Sequence, residues 1–421
     1  MVYFLMSDDK LRKPITKISY ISIILNTFIG IWFIALGLIL RPFLVIYVAP
    51  LASGRVGHFV LDTEILLARL SEMSQKRRKV IVFWIPESVI INSCVYDIWR
   101  EKIKVVRFSR VSKAILLTAV YFEKLTKLQM TLRFEGWDGY LGYTHLLNKC
   151  PPVFQMIESD KKQCEKLLQE IGIDTAREWV CILSRDSAYL EKTYPKSSWG
   201  FNSYRNSSIN TYLDAAEFLA KEGLTVFRMG RIVEEGFKSL NSNLVVDYAN
   251  SNWKSDKMDV YLSLHCKFFL SSSTGLDAIA YAARKPIVTV NLAQPLSAIY
   301  TKPDHLFILK KFMLDNTFIS IRKYLSIGIE ENGFTLDNPR NLRSQDLDRL
   351  QIKVLDNTSE EILDATKEMF FLLQSGGDFS KLSDAQTKFW QNFPSENTQI
   401  FGKPASRIGE KFIHQNSWLL D

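Results

Sequence analysis

From residue 43 onward, short runs of β-branched residues alternate with amphipathic stretches of helix length, and this alternation constrains the fold more than any other feature. It is the pattern of parallel βαβ units. Strands are expected over 43–48, 80–84 and 103–108, with helices over 60–75 and 112–126, which together make a first α/β domain. A region rich in glycine and aromatics follows over 134–152. After it comes a helix over about 160–170 that runs into the linker sequence IGIDT. A second series then begins: strand 179–183, a long polar loop to about 208, helix 209–221, and strand 224–228. It continues with strand 267–270, helix 275–283 and strand 287–290. Residues 300–356 are hard to read, whereas 359–373 form a clear helix. The fold class expected is α/β, with two tandem doubly wound, Rossmann-like lobes over 41–173 and 174–395 and a tail over 396–421. A chain of 421 residues with 47% hydrophobic and 23% charged residues can bury a core in each lobe. In such folds ligands bind beyond the carboxyl ends of the strands, and a cleft between lobes is the default site.

Residues 18–40 depart from the globular pattern. They carry no charge, and as a helix at 1.5 Å per residue they would cover a hydrocarbon core of about 30 Å. A signal peptide is the alternative, but the run exceeds the usual apolar region of about 7–15 residues and no A-x-A-like site follows. The FLVIYV run after it already reads as a buried strand. Residues 1–40 are therefore expected to be a retained membrane-anchoring segment. Ser19, Ser22, Asn26 and Gly30 would share one stripe of that helix, as a packing face. Lys10, Arg12, Lys13 and Lys17 precede the run, and Arg41, Arg55, Arg69 and the KRRK run at 76–79 follow it. The positive-inside bias therefore selects no clean single-span orientation. The anchor is either monotopic or single-pass on the cytoplasmic face of the inner membrane, and the basic flanks favour the monotopic form.

The net charge of +8 suits an anionic partner such as a phospholipid surface or a nucleotide diphosphate, and does not by itself indicate nucleic acid. Five scattered cysteines without CxxC spacing indicate neither a disulfide framework nor a zinc site.

The segment KFFLSSSTGLDAIAYAARKPIVTVN at 267–291 carries the most chemistry. A buried strand ends in Ser271, Ser272, Ser273, Thr274 and Gly275, and a helix then starts. Small hydroxyl residues and a glycine at that place leave backbone N–H groups and the helix dipole to a phosphate. An ordinary N-cap would need only one of them. The strand, the SSSTG turn, the alanine-rich helix and Lys285-Pro286 before IVTV resemble the donor-binding segment of GT-B glycosyltransferases of the heptosyltransferase-like type. Arg284 stands where that family has glycine. With the RD, RMG and GH segments, the chain from about residue 44 resembles bacterial glycosyltransferases of surface-polysaccharide gene clusters. The resemblance implies two Rossmann-like lobes in a GT-B arrangement, with Ser272, Ser273, Thr274 and Gly275 against a nucleotide diphosphate.

In CILSRDSAY a strand delivers Arg185 and Asp186 to its carboxyl end. A planar, permanently charged guanidinium there can clamp a diphosphate. Asp186 would orient it, act as a base, or form a surface salt bridge. Arg205 and Asn206 lie in the polar loop, and Arg228-Met229-Gly230-Arg231 ends the next strand. Fucosyltransferase-like enzymes similarly place an arginine at such a strand end, so Arg228 and Gly230 join the expected donor site. In the first lobe FLVIYV runs into a turn holding Arg55, Gly57 and His58. GT-B enzymes commonly approach the transferred sugar with such a turn. His58 would deprotonate an acceptor hydroxyl, since histidine titrates near neutrality, or simply start the helix.

There is no DxD motif at a strand end, no HxxxH, GxGxxG or GxSxG, and no P-loop. A GT-A metal-dependent transferase, a dinucleotide oxidoreductase and a serine hydrolase are disfavoured. The GT-B resemblance implies an enzyme without metal or other cofactor, because arginines can stabilise the departing diphosphate. The tail SRIGEKFIHQNSWLL resembles the last GT-B helix, which crosses back to the first lobe. The expectation is a membrane-associated glycosyltransferase moving a sugar from a nucleotide-sugar donor to a lipid-linked or glycan acceptor. A nucleotide-sugar 2-epimerase of the same fold and a non-catalytic polysaccharide-assembly scaffold are the alternatives.

Overall fold

The computed structural model of the protein describes residues 17–74, 79–134, 141–193, 200–237, 239, 241–295, 301–332, 342–393 and 404–421. The chain divides into two compact units, Met1–Phe154 and Gln155–Asp421. The boundary thus falls before the helix that the sequence assigned to the first lobe. That helix buries Cys164 and Leu168, and Asp160 pairs with Lys257 at 2.7 Å inside the second unit.

The first unit contains α1 (Lys17–Leu40), β1 (Leu44–Leu51), α2 (Val56–Ser74), β2 (Lys79–Pro86), α3 (Ser93–Lys102) and α4 (Arg110–Thr126). β1 and β2 run parallel, with Leu44 opposite Lys79 and Leu51 opposite Pro86. Single bridges, Val48 to Thr131 and Trp84 to Val105, flank the pair. The strand expected over 103–108 therefore shrinks to a bridge. Lys104, Arg107 and Phe108 are exposed, and a capping box at Ser109 starts α4 within two residues of Arg107. Buried Glu64 on α2 accepts from the backbone N–H groups of Val153 and Phe154 at 2.9 and 3.0 Å, which ties down the end of the unit.

Among the described residues no helix is long and apolar enough to cross a membrane. α1 is also not free-standing. Ile34 lies in one core cluster with Val48, Ile85, Leu116, Ala119 and Met130. A Cβ added to Gly30 would lie 2.4 Å from Thr118 Oγ1 on α4, so this glycine lets the two helices touch closely. The side chains of Ser19 and Ser22 lie outside the described ones.

The second unit contains α5 (Glu158–Glu170), β3 (Trp179–Leu183), α6 (Ala188–Thr193), a 3₁₀ turn Gly200–Arg205, a second 3₁₀ turn Ile209–Tyr212, α7 (Leu213–Lys221), β4 (Thr225–Arg228) and β5 (Val245–Val246). It continues with α8 (Asp256–His265), β6 (Phe268–Ser271), α9 (Asp277–Ala282), β7 (Ile287–Leu292), β8 (His305–Leu309), β9 (Lys311–Leu314) and β10 (Thr317–Phe318). Last come α10 (Ile321–Asn332), α11 (Ser344–Arg349), β11 (Lys353–Leu355), α12 (Ser359–Gln374), α13 (Asp384–Gln391), β12 (Arg407–Ile408) and α14 (Glu410–Gln415).

The main sheet is all parallel, in the order β12-β8-β7-β6-β3-β4-β5. β3 (WVCIL), β6 (FFLS) and β7 (IVTVNL) are buried at every position, as a parallel sheet covered on both faces requires. Chain order runs outward from β3 to β5 on one side and from β6 to β12 on the other, so β3 and β6 meet at the topological switch point.

The stretch that the sequence left unread holds β8 and a small antiparallel sheet, β10-β9-β11. Asp315 and Asn316 turn between β9 and β10 with φ of 51° and 59°. The tail, expected to cross to the first lobe, pairs over its described residues within the second unit. β12 pairs with β8, and the N–H of Glu410 donates to Glu368 Oε2 at 2.8 Å. Trp390 Nε1 holds the Ser406 carbonyl at 3.0 Å.

Candidate functional site at the switch point

The loops after β3 and β6 are bonded to each other at the switch point. The N–H of Arg185 donates to Ser272 Oγ at 2.8 Å, and the N–H of Ser272 donates to the Leu183 carbonyl at 3.2 Å. The polar loop is drawn to the same place: Ser207 N–H reaches the Arg185 carbonyl at 3.0 Å, and Ser184 Oγ donates to the Ser207 carbonyl at 2.6 Å. Arg205, at the end of its 3₁₀ turn, donates from Nη2 to the Ser273 carbonyl at 3.0 Å. Buried Lys310, beyond β8, donates to the Asn206 carbonyl at 2.5 Å and to Asp356 at 2.6 Å, which anchors the loop carrying Arg205. Gln294 beyond β7 donates to Tyr204 Oη at 2.8 Å. Arg185 and the SSSTG turn at two strand ends, and Arg205 and Asn206 in the polar loop, are thus brought together; these are residues that the sequence assigned to donor binding.

The SSSTG turn is not a plain helix start. Ser273 adopts φ of 60°, uncommon for a residue with a side chain and characteristic of sites whose conformation their surroundings enforce. Asp277 Oδ2 accepts from Ser271 Oγ at 2.6 Å and from the Thr274 N–H at 2.9 Å. The Thr274 amide is therefore committed to the turn. α9 begins only at Asp277 and is six residues long, so the dipole expected behind the turn is small. Burial pushes the Asp277 carboxyl up to about 6, with its hydrogen bonds and Arg205 opposing. Arg284, at the position the resemblance gives to glycine, has φ of 63°, the left-handed conformation that glycine adopts without cost.

Two of the expected residues have other work. Arg228 is only 2% exposed. It donates from Nη1 to Asp247 at 3.1 Å and from Nη2 to the Glu235 carbonyl at 2.9 Å. Asp247 also accepts from the Phe237 N–H and from Asn250 Nδ2. Arg228 is therefore the centre of a buried network that closes the loop after β4, and it is withdrawn from the donor site. Asp186 uses both oxygens on backbone, accepting from the N–H groups of Ala188 and Glu234, each at 3.1 Å. These two bonds latch the loop after β3 to the loop after β4. Gly230 follows β4 at φ of 147° beside this network.

In the first unit, the turns after β1 and β2 are joined by Ser53. Its Oγ donates to the Val89 carbonyl at 2.7 Å and accepts from the Glu87 N–H at 3.0 Å. A Cβ on Gly54 would lie 2.3 Å from Glu87 Oε2, so the glycine leaves room for that carboxylate against the turn. Arg55 is exposed, Gly57 lies in the first turn of α2, and His58 Nδ1 is 3.1 Å from Asp62 Oδ2. Burial raises the pKa of Glu87, while Arg55, the Gly54 N–H and His58 work against the rise. Glu87 escaped the sequence reading, although it ends the IPE segment directly beyond an expected strand. The rule that located Arg185 would have found it.

Among the described residues no group of three or more histidines, cysteines or acids is arranged to hold a metal ion. No family model matches the chain, and no curated protein matches it. Among solved structures, it is similar to ADP-heptose lps heptosyltransferase II of E. coli, with 11% identity, a TM-score of 0.43, and coverage of 79% of this chain and 100% of that one. It is also similar to the glycosyl transferase family 9 from Veillonella parvula, with 10% identity, a TM-score of 0.41, and coverage of 77% and 97%. A third similarity, to UDP-GlcNAc 2-epimerase from Neisseria meningitidis, has 12% identity, a TM-score of 0.27, and coverage of 59% and 82%. All three likenesses are distant.

Proposed function

We propose that the protein is a glycosyltransferase that binds a nucleotide-sugar donor at the β3/β6 switch point and passes the sugar to a lipid-linked or glycan acceptor at a membrane. The observation that supports this reading is the bond from the Arg185 backbone N–H to Ser272 Oγ across the switch point, with the Arg205 guanidinium tied to the Ser273 carbonyl beside it. An open parallel sheet binds its ligand at that point, and two arginines whose backbone or side chain is fixed there suit a diphosphate. In the reaction, the bond between the anomeric carbon and the diphosphate oxygen breaks while the acceptor oxygen bonds to that carbon. Arg185 and Arg205 stabilise the charge that builds on the departing diphosphate, which is the role a metal plays elsewhere. The acceptor proton goes to a general base. His58, braced by Asp62, is one candidate, and Glu87 is the second because its burial gives it more basic character than an ordinary glutamate.

The test is a panel of nucleoside diphosphates and nucleotide sugars screened by thermal shift, followed by titration calorimetry on the wild type and Arg185→Ala. A charge-assisted hydrogen bond of about 1.5–3 kcal/mol predicts a loss of roughly ten- to hundredfold in affinity. A panel in which nothing binds, or an Arg185→Ala protein that binds unchanged, would overturn the assignment.

A further inference from the structure

We propose that α1 and α4 together form one face that lies flat on an anionic lipid surface, rather than α1 alone acting as a spanning anchor. The inference rests on the membrane reading above and adds to it which residues meet the lipid and in what orientation.

The two sides of α1 differ. Gly30, Ile34 and Gly37 are buried against the unit's own core, at spacings of four and three. Phe28, Trp32, Leu36 and Ile39 run down the other side, all exposed, with Trp32 at 74% and Ile39 at 72%. A spanning helix needs its whole circumference in lipid or against other spanning helices, whereas α1 is committed over residues 30–37 to a globular unit. On α4, Leu117, Tyr121 and Leu125 repeat every fourth residue, with Tyr121 65% and Leu125 67% exposed. This stripe lies one position around the helix from Thr118, which touches Gly30. The apolar stripe of α4 therefore borders α1, and a contiguous run of exposed large apolar side chains marks an interaction surface.

Charge selects the occupant. No Asp or Glu occurs between residues 10 and 61, and Glu123 is the single acid between 103 and 127. Its carboxylate turns inward, accepting from Thr131 Oγ1 at 2.6 Å and from the Thr131 N–H at 3.0 Å. Arg107 and Arg110 are exposed at the start of α4, and Lys124 and Lys127 at its end. Arg41 ends α1 at the same end of the pair, donating to the Gln129 carbonyl at 3.2 Å. An apolar strip with tryptophan and tyrosine, bounded by cations and free of outward-facing acids, matches the headgroup and upper acyl region of an anionic leaflet.

The test is co-sedimentation of the full chain with phosphatidylcholine vesicles, with and without roughly 30% phosphatidylglycerol. Binding is expected to the anionic vesicles and to weaken at high salt. Tyr121→Glu/Leu125→Glu, on α4 only, should lower vesicle affinity roughly tenfold or more, as should Trp32→Glu/Ile39→Glu on α1. Both pairs are exposed, so the thermal melt in the absence of lipid and the nucleotide affinity should stay at wild-type values. Lost vesicle binding with retained nucleotide binding isolates this face from the switch-point site. Undiminished vesicle binding by the α4 variant would overturn the proposal, as would resistance of the bound protein to alkaline extraction. A dimer that the α1 variant dissociates, without vesicle binding by the wild type, would assign the face to a second copy instead and refute it equally.

Discussion

Arg228 offers the sharpest test of the site, because its position at a strand end suggests ligand binding while its contacts make it structural. Arg228→Ala removes a guanidinium that is almost fully buried and leaves Asp247 with only the Phe237 N–H and Asn250 as partners. It also strands the Glu235 carbonyl. Breaking a buried ion pair from one side costs about 3–5 kcal/mol, and the 21% exposure of the Asp247 side chain argues for the lower end, about 3 kcal/mol. Arg185→Ala sits at a half-buried loop and should change stability by well under that amount while weakening nucleotide binding. The assay is urea unfolding of each variant, followed by fluorescence, alongside calorimetric titration with the best nucleotide from the panel. The expected result is a crossed pattern, in which Arg228→Ala shifts the unfolding midpoint of the second unit and Arg185→Ala shifts the dissociation constant. An Arg228→Ala protein with unchanged unfolding and a tenfold or greater loss of nucleotide affinity would refute the assignment and return Arg228 to the donor site.

Other expectations are equally direct. Glu87→Gln should lower turnover by about 10² to 10⁴-fold and abolish the acid limb of the pH–rate profile if Glu87 is the base, whereas His58→Ala should do so if His58 is; the profile of each purified variant at saturating donor decides between them. Burial pushes Glu368 up to about 7 and Asp259 and Asp277 up to about 6, so the folded chain holds more protons than the unfolded one between the ordinary carboxyl range and those values. Stability should therefore fall as pH rises from about 4 to 7, and Glu368→Gln should flatten the upper part of that slope in a series of thermal melts. Arg284→Gly should raise stability modestly, by about 0.5–1 kcal/mol, since the relief of a left-handed φ outweighs the freedom that glycine adds to the unfolded chain; a lower melting temperature would contradict this.

Periodicity and composition were sufficient for the α/β class, for the helices α1, α2, α4, α5, α7, α9 and α12 and for the strands β1, β2, β3, β4, β6 and β7, because a buried parallel strand is apolar at every position and a helix flanking it is apolar on one side. The placement of Arg185 and the SSSTG turn at strand ends was also legible, since strand ends are where such sheets present polar groups. What failed was non-local. β12 is two residues long and pairs with β8 across about a hundred residues of chain, and β11 joins β9 from about forty residues away, so neither carries a local signal. The roles of Arg228 and Asp186 depended on which loop would fold over them: Asp247, Glu235 and Glu234 supply their partners, and only the tertiary structure decides whether an arginine at a strand end meets a ligand or a carboxylate of its own chain. The same holds for α1. An uncharged run of 23 residues has the composition of a membrane helix, and that much is intrinsic to the sequence. Whether such a helix stands alone in lipid or docks along a globular unit is set by its partners, and here Gly30 and Ile34 found theirs on α4 and β1, leaving the opposite side to the surroundings.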